Sequence, residues 1–578
     1  MPAPAGTSHE PLCYGGASLR ILGPIPMTQH DTGPAGDRPA HRFLWIGVAL
    51  NLPFLLCHPA WTAISAGLVR SLAINAVLFI VPGVPLVALC QRANRPARWH
   101  LLWVIAASLV AFVGSVGLTH ALGWPVDSGA TWNLTWAGTN VAWLTAWALG
   151  CGFPALGTVP YGRSVFAPAF ALCYLLFFWG ATVVVPHQGD HDMDLQGTAH
   201  ALLTEFKPGY PTSRSYYYLA HPPLLHVYVA GSFLYHGQLD GVAAYNPNST
   251  SALPPDDHWQ HYLGHPFFIE TRTPNLFLSS MTAALLAMWL ARVMRSAPYG
   301  LVLALMYATL PEVFVRSSYG GYFAGSKFFA VQMLLAVEAW SRETTGGARG
   351  RVALAGAMAA VANHKLVLLP LAIGIWRLFS VPLRQGWQKA AGHLLHPVLV
   401  GFLLGTLGFW TYGWWVSPTD FWNDHIRHHI VDRVMNHNAR GLNMSAYPTL
   451  PGLWLEFWRD TSYLLLPLGL VSLGLLLRRR PDSTASSDLV TGWRGFAGLW
   501  TIWTMVATVA FSLIDWKQTK HLTTLIVPMT LAPAAAVGAR RLSPRVAFGV
   551  ALAIIGLNLL TIVSLAEDFR SLVKIPEW

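Results

Sequence analysis

Apolar runs of about 17–25 residues, broken by short polar stretches, recur along most of the chain, and each is long enough to cross roughly 30 Å of hydrocarbon as a helix. Lipid offers no partner to a free backbone N–H or C=O, so a spanning element must satisfy its own, and the alternation that marks a barrel strand is absent. The pattern predicts an all-α polytopic membrane protein of about 13–15 transmembrane helices.

Basic residues orient the spans. The clusters Arg92/Arg95/Arg98, Arg292/Arg295, Arg342/Arg349/Arg351, Arg377/Arg384/Lys389, Arg478/Arg479/Arg480 and Arg540/Arg541/Arg545 all belong on the cytoplasmic side under the positive-inside rule. Helices near 43–58, 72–90, 100–122, 134–157 and 165–186 then bring the chain out at Pro186, and 187–276 becomes a long external loop. The chain returns along 277–294, leaves along 299–314 and returns along 324–341. Residues 352–378 have the length of one span but basic flanks at both ends. The polar trio Asn363, His364 and Lys365 divides them, which predicts two half-spans meeting at Lys365 near the outer face. Further spans are expected at 396–416, 461–477, 496–514, 521–539 and 545–565, with a second external loop at 417–460.

The implied organisation is a disordered cytoplasmic tail (1–41), additional N-terminal transmembrane helices (42–160), a transmembrane core (161–545) and a last helix with an external C-terminus (546–578). A cytoplasmic N-terminus and a plasma (inner) membrane setting follow, with the chemistry facing outside or the periplasm.

Composition agrees: 53% of residues are hydrophobic and only 11% charged, against roughly a quarter charged in soluble domains. The net charge of +11 resides in short loops between spans, so it reports topology rather than a nucleic-acid partner. Cys13, Cys57, Cys90, Cys151 and Cys173 show no disulfide or zinc-ribbon spacing.

Candidate chemistry gathers in the external loops. In "HQGDHDMD" (187–194) three carboxylates lie within five residues where the chain leaves the membrane. Such a cluster suits a general base or a divalent cation (Mg, Mn or Ca), with Asp190, His191 and Asp194 as candidate ligands and His187 nearby. Asp192 is the first choice as base, with Asp194 and Asp190 as alternates. Residues 195–206 and the stretch opened by "HPPL" at His221 show helical spacing too short to span, which predicts two interfacial helices. His221, Arg272, Arg316, Lys365, Lys517 and Lys520 are cations at or near the outer face, against the prevailing charge bias, and are candidate phosphate ligands. Glu312 and Glu270 are possible second acids. In the second loop His425, His428, His429 and His437 mark an interfacial helix, with headgroup contact or a metal as alternative uses.

The order of these features resembles the GT-C membrane glycosyltransferases, in the branch of the protein O-mannosyltransferases and lipid A aminoarabinose transferases. The resemblance rests on the acidic cluster, the "HPPL" element and "ETRTPNLFLSSMTAALLA". It continues in "LPEVFVRSSYGGYFAGSKF" at 310–328, "AGAMAAVANHKLVLLP" at 355–370 and "FSLIDWKQTKHLTTLIVP" at 511–528. It covers roughly 165–540, so the first helices are an addition, and the acidic motif reads Asp-His-Asp-Met-Asp in place of Asp-Glu. The resemblance implies an inverting hexosyl- or pentosyltransferase that takes a sugar from a polyprenyl-phosphate carrier and delivers it to a lipid, glycan or protein acceptor in the cell envelope. Membrane lipids are the surrounding partners. Two alternatives are a polytopic transporter or flippase of a lipid-linked or glycan substrate, and a non-catalytic subunit of envelope glycan assembly. The absence of paired halves and of midplane charge argues against transport.

Overall fold

The computed structural model describes residues 38–58, 67–90, 101–151, 162–184, 202–204, 206, 219, 221–239, 268–342, 346–380, 395–432, 450–478, 491–512 and 522–572. The protein is an all-helical polytopic membrane protein, with no strand among the described residues. The order begins α1 (Arg38–Leu56), α2 (Leu68–Phe79), α3 (Gly83–Cys90), α4 (Leu101–Ala121), α5 (Ser128–Ala148), α6 (Gly162–Val183) and α7 (Leu224–His236). It continues with α8 (Phe268–Met294), α9 (Ala297–Ala308), α10 (Pro311–Ser318), α11 (Tyr322–Arg342), α12 (Gly346–Ala362), a 3-10 turn (His364–Val367) and α13 (Leu368–Ser380). Then come α14 (Pro397–Val416), α15 (Pro418–Phe421), a π-helical stretch (Trp422–Asp432), α16 (Leu450–Thr461), α17 (Leu465–Leu477), α18 (Phe496–Ser512), a 3-10 turn (Thr523–Leu525), α19 (Ile526–Gly538) and α20 (Pro544–Leu572).

Six helices among the described residues are long and apolar enough to cross a membrane, and the pair α9 and α10, bent by 71°, makes a seventh. The all-α polytopic class expected from run length stands; the about 13–15 spans are an expectation for the whole chain, and this count covers the described residues alone. Apolar segments at Trp45–Leu56, Leu465–Leu477, Phe496–Phe511 and Thr523–Gly538 are shorter helices. The region 346–380 is broken at Asn363, where the polar trio falls, into α12 and α13.

Helix α8 lies at the centre of the core and carries Pro274 within it. Proline has no N–H to give the carbonyl four residues back, so Glu270 C=O loses its helical donor. The Ser232 hydroxyl of α7 donates to that carbonyl at 2.6 Å, and Asn75 Nδ2 of α2 donates to Thr273 C=O at 3.0 Å. The first bond meets the carbonyl that the proline frees, and the second is an independent tie from α2 to α8. Helix α7 is consequently enclosed: all but one of its residues are buried, and it packs against α2, α5, α8 and α12 rather than turning a polar face to water.

Arg272 has a related task. Its Nη1 donates to Ala181 C=O at 2.7 Å and Val184 C=O at 2.9 Å, meeting carbonyls at the end of α6. Asn275 Nδ2 donates to the carbonyls of Tyr319 and Gly321 at 2.8 and 2.9 Å, tying the turn between α10 and α11 to α8.

Helices α12 and α14 approach backbone to backbone. Without a hydrophobic drive between helices in lipid, small residues permit the close packing that holds them. A Cβ at Gly401 would overlap the Ala353 carbonyl, and one at Gly356 would overlap the Val398 carbonyl. Gly401→Val is therefore expected to destabilise the protein at the upper end of about 1–3 kcal/mol. A lowered thermal midpoint of the detergent-purified protein checks this; an unchanged midpoint would mean the two helices do not pack this closely.

Candidate functional site

The site is built where several helices break or begin at one end of the bundle. The bend between α9 and α10 places Glu312 and Arg316 one helical turn apart on α10. Arg316 Nε meets Glu312 Oε1 at 2.9 Å. The same guanidinium donates to the Tyr319 hydroxyl and lies 5.0 Å from the centroid of the Phe323 ring. Held by an anion, a phenol and an aromatic face, it has little rotamer freedom left to lose on binding a ligand.

The first turns of α11 supply the next groups. The Tyr322 ring lies 4.2 Å from that of His221, in the "HPPL" element, and its hydroxyl is 2.9 Å from His226 Nε2 on α7. Helix α7 is not one of the spans, and burial pushes the His226 imidazole down to about 4, against a backbone hydrogen bond at Pro222. His226 is thus neutral at pH 7 and serves to orient Tyr322. One turn further on, Ser326 Oγ donates to Tyr322 C=O at 2.7 Å and receives Asn363 Nδ2 at 2.7 Å.

Asn363 also explains why the helix breaks where it does. Its backbone is extended, and its side-chain oxygen accepts the Lys365 N–H at 3.0 Å, capping the 3-10 turn that follows. The cap presents His364 and Lys365 in succession. The His364 ring stacks 6.0 Å from His221 and stands edge-on at 5.6 Å to His425 in the π-helical stretch. His425 is itself packed against Phe409 and Phe421, and Leu219 N–H approaches Asp424 Oδ2 at 3.4 Å. The two external loops expected from sequence therefore meet at this end through described residues.

Lys365 lines a narrow cleft open to solvent, together with Phe323, Ser326, Asn363, Thr523 and Thr524. Next to Ser326 on α11, Lys327 is 1% exposed, and its Nζ has no hydrogen-bond partner among the described residues. Glu312 attracts that ammonium and Arg316 repels it.

Of the residues singled out from sequence, His221, Lys365, Arg316 and Glu312 are in this end cluster. Arg272 is directed onto α6 instead, and Glu270 is buried with Arg70 of α2 as its charged neighbour, its Oε2 without a hydrogen-bond partner among the described residues. Asp190, Asp192, Asp194, His187, His191, Lys517, Lys520 and His437 lie outside the described residues, as do the side chains of His428 and His429. Among the described residues no group of three His, Cys, Asp or Glu side chains could hold a metal ion. Lys327, Tyr322, Ser326 and His226 were not singled out from sequence. A lone lysine inside the apolar run 324–341 was the available signal, since ionisable groups in spans are costly and seldom idle. Searches against protein-family models, curated proteins and solved structures find no match to this chain.

Proposed function

We propose that this polytopic membrane protein is a glycosyltransferase, moving a sugar from a polyprenyl-phosphate carrier to an acceptor on the extracytoplasmic side. One observation carries the reading: three segments far apart in sequence, at His221, Arg316–Ser326 and Asn363–Lys365, touch one another, and Phe323, Ser326, Asn363 and Lys365 among them line a cleft. Cations held there suit a ligand that is anionic at one end and greasy at the other.

The chemistry requires two functions. As the bond from the anomeric carbon to phosphate oxygen breaks, its electron pair leaves with the phosphate, and positive charge must receive it. Lys365 and Arg316 serve there, with His221 as a further donor. On the opposite face the acceptor hydroxyl attacks the anomeric carbon while a carboxylate takes its proton, which inverts the configuration. Asp192 is the proposed base, with Asp190 and Asp194 as alternates.

The tether favours this assignment. The end of α6 packs against α10, with Trp179 5.6 Å from Phe314 by ring centroids, and Arg272 holds Val184 C=O. From Val184 the chain reaches Asp190 in six residues, at most about 20 Å of extended backbone. That reach is what the proposal requires for a carboxylate of the acidic segment to act opposite Arg316. The divalent ion considered for Asp190, His191 and Asp194 takes no part in these steps, which use the chain's own side chains.

A structure of the protein with a bound polyprenyl phosphate tests the assignment. The phosphate is expected within hydrogen-bond distance of Lys365 Nζ; a phosphate seated away from the cleft would overturn it.

A further inference from the structure

Three charged side chains gather where α10 meets α11. Glu312 and Arg316 stand one turn apart on α10 and are paired at 2.9 Å. Phe323, at the start of α11, has its ring centroid 5.0 Å from the Arg316 guanidinium carbon. Lys327 follows one turn further along α11 and so shares the face that Phe323 turns toward Arg316. Glu312 is the anion that draws its ammonium.

The charges in this group do not balance. Two cations share one carboxylate, and with Lys327 and Glu312 both buried, water is a poor substitute for a second anion. All the donors of Lys327 Nζ are without an acceptor among the described residues. An ammonium in that position is costly unless some state of the protein gives it a partner. Arg316, by contrast, has anchors besides Glu312, since its guanidinium donates to the Tyr319 hydroxyl and lies over the Phe323 ring. It can keep its place if the carboxylate leaves it, and Glu312 can leave by turning about its own side-chain torsions.

We propose that Lys327 is a positioning residue: when an anion engages Arg316, the Glu312 carboxylate passes to Lys327, and Arg316 meets the ligand with its charge unmasked. The inference rests on the reading of Arg316 as a cation for the departing phosphate. Taken alone, the Glu312–Arg316 pair is neutral as a unit and attracts a phosphate only weakly. With Lys327 as the alternative partner, each charged side chain is matched in the occupied state, Arg316 by the phosphate and Lys327 by Glu312. Without Lys327, binding would strand a buried carboxylate, and the anion would be held more weakly. Lys327 acts through Glu312 and need not touch the ligand.

The test is a double-mutant cycle on the full-length purified protein in detergent, with binding read by native mass spectrometry. The probes are undecaprenyl phosphate and its uncharged counterpart, undecaprenol. Lys327→Met is expected to bind undecaprenyl phosphate about tenfold more weakly than the parent, through loss of one charge-assisted hydrogen bond in the occupied state. In a Glu312→Gln background no carboxylate needs a new partner, so the same substitution is expected to change binding by less than about twofold. Undecaprenol binding is expected to be the same throughout. Lys327→Leu takes the place of Lys327→Met if the latter fails to fold, as judged by thermal melting. An equal loss in both backgrounds would mean that Lys327 acts on the anion directly or only supports the fold, and no loss in either would mean that Glu312 never leaves Arg316. Each of these results, or an equal loss of undecaprenol binding, would overturn the inference and leave the proposed function standing. Failure of the parent to bind undecaprenyl phosphate would overturn both.

Discussion

The double substitution Asp192→Asn, Asp194→Asn is expected to lower sugar transfer by about 10²–10⁴-fold, the usual loss when a positioned general base is removed. An amide keeps the size and most of the hydrogen bonding of a carboxylate but cannot take the acceptor's proton. The protein should therefore insert, purify and bind the donor as before, with the loss confined to the chemical step. Single substitutions separate the alternates. If Asp192 is the base, Asp192→Asn alone reproduces most of the loss and Asp194→Asn costs far less. Undiminished transfer by the double variant, assayed with donor at saturation, would remove the acidic segment from the mechanism.

Lys365→Ala is the second large effect, with an expected loss of about 10²–10³-fold in kcat/KM. Lys365 sits at a helix break whose cap, Asn363, is fixed by Ser326 and by the Lys365 N–H itself. The turn should keep its shape when the side chain is truncated, because both hydrogen bonds involve other atoms. The charge is lost without a substitute in the same place, since Glu312, Tyr319 and Phe323 hold Arg316 in its own position and it cannot move into that of Lys365. Lys365→Arg is expected to recover part of the activity, an outcome that a purely structural role for Lys365 would not produce. Full activity in Lys365→Ala would require the phosphate to be received elsewhere.

The break itself is legible in the sequence. Basic flanks on both sides of 352–378 cannot be reconciled with one span, and the polar trio marked the only place to divide it. The all-helical polytopic class was legible for a similar reason: run length and charge bias act along the chain and need no knowledge of neighbours. What run length could not supply was the division of apolar sequence into full spans and shorter helices, because a helix inside the bundle is as apolar as one in lipid.

Tasks of individual cations were harder to read. Arg272 and Lys365 look alike in sequence, each a cation near the outer face, yet one satisfies carbonyls of α6 and the other lines the cleft. Only the position of α6 distinguishes them. Helix α7 shows the same limit. Its helical spacing is evident and predicts an interfacial helix, but its burial follows from Pro274 on a distant helix, whose freed carbonyl partner takes Ser232. Lys327 lay inside a run taken as an ordinary span, and its setting behind Glu312 and Arg316 depends on the 71° bend before α10.

The central claim is sugar transfer from a polyprenyl-phosphate donor, and it is met most directly by incubating the purified protein with a panel of radiolabelled polyprenyl-phosphate sugars. Release or transfer of label from at least one donor, lost in the Asp192→Asn, Asp194→Asn double variant, is the expected result. Every donor left intact by the folded parent protein, with envelope lipids, glycans and proteins supplied as acceptors, would contradict it.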